Sequence, residues 1–482
     1  MATSCSLPPL VLLLLLLVAL PLSSAAIRPS PQVGRFFAKA VRSIIKKSTK
    51  DNLEDRAKDS VRDFSSQGNT GKGNNDQLGS SAADQFGAFL FDLSIGTPSS
   101  PQTLSLVLDI TSELVWTQCG VLQPTDGTFL QIGCDDQKCK DVFPDVTTCA
   151  AANPDDACAA NLGGPCCGYQ ETFYGGGGTK GNLATETFTL GSTSVTDLVF
   201  GCSDSDTVLN DLDSGTGSRA SGFAGFSTGP LSLVSQLQIS SFSYFIALPD
   251  DPDKDKSFIS WGDATPKSGH GTPLLVPTPS QNPHWYYVKL TGVQVDGQLL
   301  SDIPAGTFDV KTDGTGGGVF LSTTLPVTYL EQAAYEVLRR ELVSKIQAKG
   351  VSPTNPDDEN HLCFDKQAFS DKEVPKLALV FDGADAVMEL KVQNYFFTLD
   401  NGMTCLTILP SIGGSVLGSL LQTGRTMTYD LQDGMLTFDT FETAAAAPAP
   451  AKVQLMIMAT LLHLLGAPLV LLPRSTLIKS LP

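Results

Sequence analysis

LSLVLDITSELVW, residues 104–116, decides the fold: an apolar strand runs into Asp109, and a turn with hydroxyl side chains follows. A similar stretch, GGVFLSTTLPVTYL, occupies residues 317–330. Far downstream of each lie two apolar residues and a glycine, Phe223-Ala224-Gly225 and Val416-Leu417-Gly418. Glycine has no side chain to keep another strand away. The repeat therefore indicates two similar halves, in which a later strand crosses closely over each turn.

The region around these turns is predicted to be mainly β. Runs of Tyr, Phe, Val, Ile and Thr alternate with Gly, Pro, Asp and Asn, which is typical of short strands joined by turns. Examples of the predicted strands are Phe89–Ile95, Thr103–Leu108, Phe188–Leu190, Leu198–Phe200, Trp285–Leu290, Val293–Val295, Ala378–Phe381 and Thr426–Tyr429. A helix is predicted over Glu331–Ala348, where apolar residues recur on one face, and a shorter one over Leu231–Leu237.

Length and charge narrow the classes of protein. The 482 residues are too many for one ordinary core, so two lobes are expected. The chain has 32 Lys and Arg against 50 Asp and Glu, a net charge of −18 that would repel a nucleic-acid backbone. The chain has only four histidines and one closely spaced pair of cysteines, and this small supply of ligands argues against a zinc site. We expect no nucleic-acid partner, no metal and no cofactor.

The N-terminal end is predicted to lie outside the folded body. Residues 1–26 have the apolar run and small residues of a signal peptide. Residues 27–85 carry 11 Lys and Arg and 7 Asp and Glu, and apolar residues recur at helical spacing between Val33 and Ile45. We interpret this region as a basic pro-segment and linker that docks on the acidic body. The alternative is a solvated or membrane-surface helix.

The C-terminal tail, residues 442–482, is apolar between Val453 and Leu472. Small residues, Ala444 to Ala447, precede this stretch, as in a lipid-anchor signal, although Arg474 and Lys479 follow it. Three interpretations stay open: a lipid-anchor signal, a membrane span and an incidental tail. The protein is expected to be secreted, with membrane attachment through this tail as one alternative.

The cysteines favour an oxidising compartment. Ten of the 11 remain once Cys5 leaves with the signal peptide. Eight of these lie between Cys119 and Cys202, and their pairing cannot be deduced from the sequence. Cys363 and Cys405 are the only pair available in the second half. Residues 134–167 lack helical periodicity and are interpreted as a surface insertion held by disulfides.

The body resembles the pepsin-like aspartic peptidases, and in particular their plant nepenthesin-like branch. The resemblance runs over about residues 86–441, through stretches such as FDLSIGTPSSPQ at 91–102, GFAGFSTGPLSLVSQL at 222–237 and YDLQDGMLTFD at 429–439. It implies a bilobal β-fold, with an N-terminal lobe at 86–278, a C-terminal lobe at 279–441 and a cleft between them. It also implies a β-hairpin flap over the cleft, in which Tyr174 matches the flap tyrosine.

The chemistry of that family needs two carboxylates that share a proton and hold a water molecule. Asp109 matches the first acid, but Ser322 stands at the position of the second. Thr111 and Thr324 replace the glycine of each turn, and Ile110 replaces a hydroxyl residue that bonds across the lobes in the family. An alcohol does not ionise near neutral or acidic pH, so Ser322 cannot do the work of a paired acid.

The sequence therefore predicts a secreted, monomeric aspartic-peptidase homologue that is catalytically impaired and binds a peptide or protein in its cleft. Cereal xylanase inhibitors are similar in having the same fold with altered catalytic turns. The alternative is an active aspartic endopeptidase with non-standard turns. A serine nucleophile at Ser112 or Ser322 would need a histidine partner, and none lies in a recognisable motif. Another carboxyl group against Asp109 would overturn the inactive interpretation.

Overall fold

The computed structural model describes residues 26–27, 89–97, 99–122, 128–142, 165–172, 178–190, 193–206, 209, 220–248, 257–262, 270–279, 281–311, 316–369, 374–399 and 402–439. Apart from Ala26 and Ile27, the predicted signal peptide, the pro-segment and the C-terminal tail lie outside these ranges. Tyr174 also lies outside them. Within the described ranges, no helix is long and apolar enough to cross a membrane.

The described residues up to Leu275 lie mostly in strands, and the first of these, Ala26–Ile27, precedes the body in the chain and pairs with Ile259 and Ser260. In chain order they are β1 (Ala26–Ile27), β2 (Leu90–Ile95), β3 (Gln102–Asp109), β4 (Trp116–Gln118), β5 (Leu130–Gln131), β6 (Gly168–Thr172), β7 (Gly178–Leu190), β8 (Thr193–Asp206), β9 (Gly222–Gly225), β10 (Ser241–Phe245), β11 (Phe258–Trp261) and β12 (His270–Leu275). The short helices with described bounds in this half are α1 (Gln137–Val142) and α2 (Leu233–Gln236), and a 3-10 turn covers Cys119–Val121.

The second half has the same character and contains the one long helix among the described residues. Its strands are β13 (Tyr287–Val288), β14 (Leu290–Val295), β15 (Gln298–Leu299), β16 (Val319–Leu321), β17 (Thr328–Glu331), β18 (Cys363–Asp365), β19 (Leu377–Phe381), β20 (Val387–Leu390), β21 (Phe396–Thr398), β22 (Met403–Leu406), β23 (Ile408–Ser411), β24 (Ser415–Leu417), β25 (Thr426–Asp430) and β26 (Met435–Phe438). Its helices are α3 (Gln332–Gln347), α4 (Val392–Tyr395) and α5 (Ser419–Gln422).

Both halves repeat one strand arrangement, as the sequence predicts. In the first half, β3 runs parallel to β9, with Asp109 opposite Gly225. In the second, β16 runs parallel to β24, with Leu321 opposite Leu417. A Cβ atom at Gly225 would lie 2.6 Å from the Ser112 carbonyl oxygen, and one at Gly418 would lie 2.2 Å from that of Val327. Only a hydrogen atom fits at these crossings, which confirms the reason for the two glycines.

A sheet shared by strands from both halves joins them. Strand β10 pairs with β25, β12 pairs with β26, and β25 pairs with β26. On one face the rings of Phe242 and Tyr429 stack in parallel, with centroids 4.7 Å apart. The large apolar core continues from the first half into the second through these strands. The mainly β, two-lobed architecture predicted from the sequence is therefore confirmed.

Several elements differ from the prediction. Strands β7 and β8 form one long hairpin, although only Phe188–Leu190 and Leu198–Phe200 were expected to be strands. Their other residues include Gly, Asn and Thr and show little apolar pattern, so the strands depend on pairing with each other. Helix α1 lies in the region interpreted as loop, and its Cys139 is almost completely buried. The strand predicted over Trp285–Leu290 is shorter: β13 covers only Tyr287–Val288, and Leu290 begins β14, which also contains the predicted Val293–Val295.

Candidate active site

Asp109 is the last residue of β3, and its side chain is buried. The backbone N–H of Thr111 donates to Asp109 Oδ1 over 2.8 Å, and the Thr111 hydroxyl donates to the same oxygen over 2.6 Å. Burial raises the pKa of the carboxyl group above its ordinary value, and the bonds from Thr111 offset part of that rise. Thr111 therefore uses its hydroxyl as a partner for the acid, in a position where glycine was expected.

Ser322 takes the equivalent place in the second turn. It directly follows β16, is fully buried, and its backbone N–H bonds to the Leu417 carbonyl over 3.1 Å. Its Oγ accepts hydrogen bonds from the backbone N–H groups of Thr324, at 3.3 Å, and Leu325, at 3.2 Å. In both turns, therefore, the backbone N–H of the second following residue, Thr111 or Thr324, donates to the side chain of Asp109 or Ser322. The second turn keeps the donors that would face a carboxylate and presents an alcohol to them.

One residue joins the two turns across the lobes. The Thr323 hydroxyl donates to the Leu108 carbonyl over 2.8 Å and accepts from the Ile110 N–H over 3.2 Å. Ile110 is fully buried in the core and has no hydroxyl with which to return such a bond. The contact between the turns is therefore one-sided, since only the second lobe supplies a side chain to it.

The beginning of the second lobe also contacts the Asp109 turn. The Trp285 indole N–H donates to the Thr111 carbonyl over 2.8 Å, and its ring stacks on Phe320 with centroids 4.6 Å apart. His284 Nε2 lies 3.7 Å from Glu113 Oε2. Burial raises the pKa of Glu113, and the neighbouring imidazole lowers it by a smaller amount. Trp285 thus lies at the edge of the expected cleft and occupies a backbone carbonyl of the first turn.

Glu171 is a second acid beside this turn, and sequence reasoning missed it. It lies in β6, the strand that leads towards Tyr174, and the Ser112 hydroxyl donates to its Oε1 over 2.7 Å. Its Oε2 is buried and has no hydrogen bond within the described part of the chain. Burial, with smaller contributions from the charges of Asp109 and Glu113, raises the pKa of Glu171 to about 8, and the bond from Ser112 offsets part of the rise. The signal available was an acid in a strand next to the flap motif.

No carboxyl group within the described ranges forms a hydrogen bond with Asp109. The carboxyl group of Asp109 is bonded by the side chain and backbone N–H of Thr111, and the backbone N–H of Ser112 also helps to lower its pKa. Glu171 lies on the same lobe, is bonded to the turn through Ser112, and has its pKa raised by the charge of Asp109. An acid of the other lobe placed against Asp109 would overturn the inactive interpretation. No such acid is found among the described residues.

The remaining predicted site residues are placed as follows. Cys363 and Cys405 lie opposite each other in β18 and β22 and form a disulfide. In the first half, disulfides join Cys119 to Cys202 and Cys139 to Cys167, a pairing that the sequence left open.

The described histidines take part in contacts away from the two turn serines. His361 bonds to Asp358, and His270 contacts a backbone carbonyl. Among the described residues, no histidine bonds to Ser112 or Ser322, and no group of three His, Cys, Asp or Glu side chains could hold a metal ion.

The shared sheet, the two turns and the strands that cross them define the pepsin-like architecture. Comparisons with known proteins agree with it. Residues 89–263 match the family model described as xylanase inhibitor N-terminal, and residues 285–440 match xylanase inhibitor C-terminal. The solved structures of edgp and of basic 7S globulin from soybean are similar in fold, with TM-scores of 0.58 and 0.55. Their identities are 17% and 21%, and they cover 77% and 74% of this chain and 94% and 93% of their own.

Curated relatives are similar over most of the body. Aspartic proteinase nepenthesin-2 from Nepenthes gracilis is 32% identical over 370 residues, which are 73% of this chain and 77% of the relative. Aspartic proteinase nepenthesin-1 from the same plant is 29% identical and covers 75% of this chain and 79% of its own. The chain belongs to the pepsin-like aspartic peptidase family, in its plant nepenthesin-like, xylanase-inhibitor-like branch.

Proposed function

We propose that this protein is a secreted pseudopeptidase: a member of the aspartic peptidase family that has lost efficient catalysis and binds a peptide or protein segment between its lobes. The observation that carries the proposal is the serine at position 322. There a fully buried alcohol accepts hydrogen bonds from its own turn, in the place where the family has its second acid.

The chemical argument concerns the shared proton. In the dyad one carboxylate takes a proton from water while the other, protonated, polarises the peptide carbonyl. Ser322 can fill neither role at the pH at which Asp109 titrates. Loss of a general acid or base alone costs roughly 10²–10⁴-fold in rate. The altered turn residues Thr111 and Thr324 add to that loss.

Retention of the architecture supports binding. Thr323 still joins the two turns, and Trp285 still contacts the first turn from the second lobe. These contacts hold the surface between the lobes in one arrangement although the acid pair is incomplete. Disulfides, including Cys363–Cys405, are consistent with an oxidising, extracellular location.

The test is proteolysis of an unstructured protein, such as reduced and carboxymethylated ribonuclease, from about pH 2 to 7. The protein is secreted by a host that forms its disulfides. We expect no turnover by the wild type and a gain of turnover in the triple variant Ser322→Asp, Thr111→Gly, Thr324→Gly. Adding Asp109→Ala to the triple variant is the matched control and should abolish that gain.

The second candidate is an active endopeptidase with unusual turns. The carboxyl of Glu171 next to the Asp109 turn is the observation that favours it. Wild-type turnover that disappears in Asp109→Ala would establish this alternative and refute the pseudopeptidase.

A further inference from the structure

We propose that Glu171 is a ligand-binding acid of the cleft, which donates a hydrogen bond from its free carboxyl oxygen to a backbone carbonyl of a peptide bound beside Asp109. The inference rests on the proposed function, because it assumes that a peptide lies between the lobes. It assigns a role to a residue that belongs to neither catalytic turn.

The geometry gives the two oxygens of Glu171 different roles. Oε1 accepts the hydroxyl of Ser112, three residues after Asp109, so that this end of the carboxyl group is fixed against the first turn. Ser112 is buried, and its hydroxyl also lies 3.3 Å from the carbonyl oxygen of Leu114. Oε2 is shielded from solvent and meets no donor with hydrogen-bond geometry among the described residues, although the backbone N–H of Glu113 lies close enough to the carboxyl group to lower its pKa. A buried polar atom without a hydrogen-bond partner is destabilising, so such an atom is a candidate for ligand contact.

The charge around Glu171 decides which ligand group suits it. The acids Asp109 and Glu113 act on it from the adjoining turn, and Tyr169 adjoins it on its own strand. His284 faces Glu113 and not Glu171. Burial, reinforced by the two acids, raises its pKa to about 8, so the group carries a proton under acidic and neutral conditions. A neutral carboxylic acid donates one hydrogen bond, and the backbone carbonyl is the acceptor that every peptide offers.

The experiment measures peptide binding in three variants of the full-length secreted protein. A random decapeptide library is passed over the immobilised wild type, and the best-retained peptide is labelled for fluorescence anisotropy. Glu171→Leu removes the donor and should weaken binding about tenfold at pH 6. Glu171→Gln keeps an N–H donor of similar size and should stay within about threefold. Glu186→Gln, which changes a buried acid of β7, is the matched control and should bind like the wild type.

A pH series separates a proton donor from a merely structural residue. Wild-type binding should fall as the pH rises from 6 to 9, through the pKa of about 8. Binding by Glu171→Gln should vary less, because its amide does not titrate. In the free protein at pH 6, the infrared band of protonated carboxyl groups should be weaker in Glu171→Gln than in the wild type, a comparison that does not depend on finding a ligand.

The outcomes distinguish the two proposals. If no peptide is retained by the wild type, both the proposed function and this inference fail. If the wild type binds but Glu171→Leu, correctly folded by its thermal melt, binds equally well, only this inference fails. Equal pH dependence in wild type and Glu171→Gln would likewise overturn it.

Discussion

The hydroxyl of Thr323 lies 2.8 Å from the carbonyl oxygen of Leu108, and this hydrogen bond joins the turn of one lobe to the strand that carries Asp109 in the other. The two residues are separated by 215 positions in the chain. Because Ile110 returns no side-chain bond, Thr323 alone supplies the side chain for this connection. The lobes thus meet at the same place as the two turns.

Thr323→Val should destabilise the protein by about 1–3 kcal/mol, because the Leu108 carbonyl and the Ile110 N–H would both remain buried without their partner. The free energy of unfolding in urea measures this loss. Thr324→Val is the matched control, since among the described residues the Thr324 hydroxyl bonds to Ser322 of its own turn and not across the lobes. Equal stability of the two variants would contradict the cross-lobe role of Thr323.

Gly225→Ala and Gly418→Ala should each prevent correct folding or cost several kcal/mol, because the added methyl group would overlap a backbone carbonyl. Secreted yield and thermal melting report the effect. Gly120→Ala serves as the control, since nothing lies within 4 Å of a Cβ atom there. Normal yield and melting of the Gly225 variant would show that the strand crossing tolerates a side chain.

Trp285→Phe should lower the free energy of unfolding by about 0.5–1.5 kcal/mol more than Trp261→Phe does. Both changes shorten a half-buried aromatic ring, but only Trp285 donates to the Thr111 carbonyl. Urea unfolding of both variants gives the difference. A smaller loss for Trp285→Phe than for Trp261→Phe would rule out a stabilising contact between the lobes at this point.

Glu171 should make the folded state less stable as the pH rises from 4.5 to about 8. In this window the folded state holds a proton on Glu171 that the unfolded state has released, so the free energy of unfolding falls with increasing pH. The loss is on the order of 2–4 kcal/mol. Unfolding at several pH values should show a shallower decline in Glu171→Gln.

The control for this pH series is Glu336→Gln, which changes an acid on the exposed face of α3. It should follow the wild-type profile. If Glu171→Gln follows the wild type just as closely, Glu171 is ionised in the folded protein at neutral pH.

The sequence was sufficient for the parts of the structure that depend on local patterns. The apolar period of α3, the strand before Asp109 and the glycines at 225 and 418 were all predicted, since each depends on nearby residues or on a repeated motif. The position of Ser322 followed from the repeat and from family resemblance, and its contacts show an alcohol in the second turn.

The contacts that shape the site could not be predicted in this way. Trp285 bonds to a residue 174 positions away, and Glu171 to one 59 positions away. Such contacts leave no periodic pattern, because they depend on how the sheets bring distant segments together. An acid in a strand normally indicates a solvent-facing side chain, so only tertiary packing reveals that the carboxyl of Glu171 points inward.

The sheet that joins the halves constrains how the protein is made. Ser241 in β10 lies opposite Asp430 in β25, so one edge of this central strand stays open until nearly the whole chain has left the ribosome. An open strand edge invites pairing with other chains. The sheet around β10 is therefore complete only once the last part of the second half has been made. A chain that stops before β25 would leave the edge of β10 exposed to pairing with other chains.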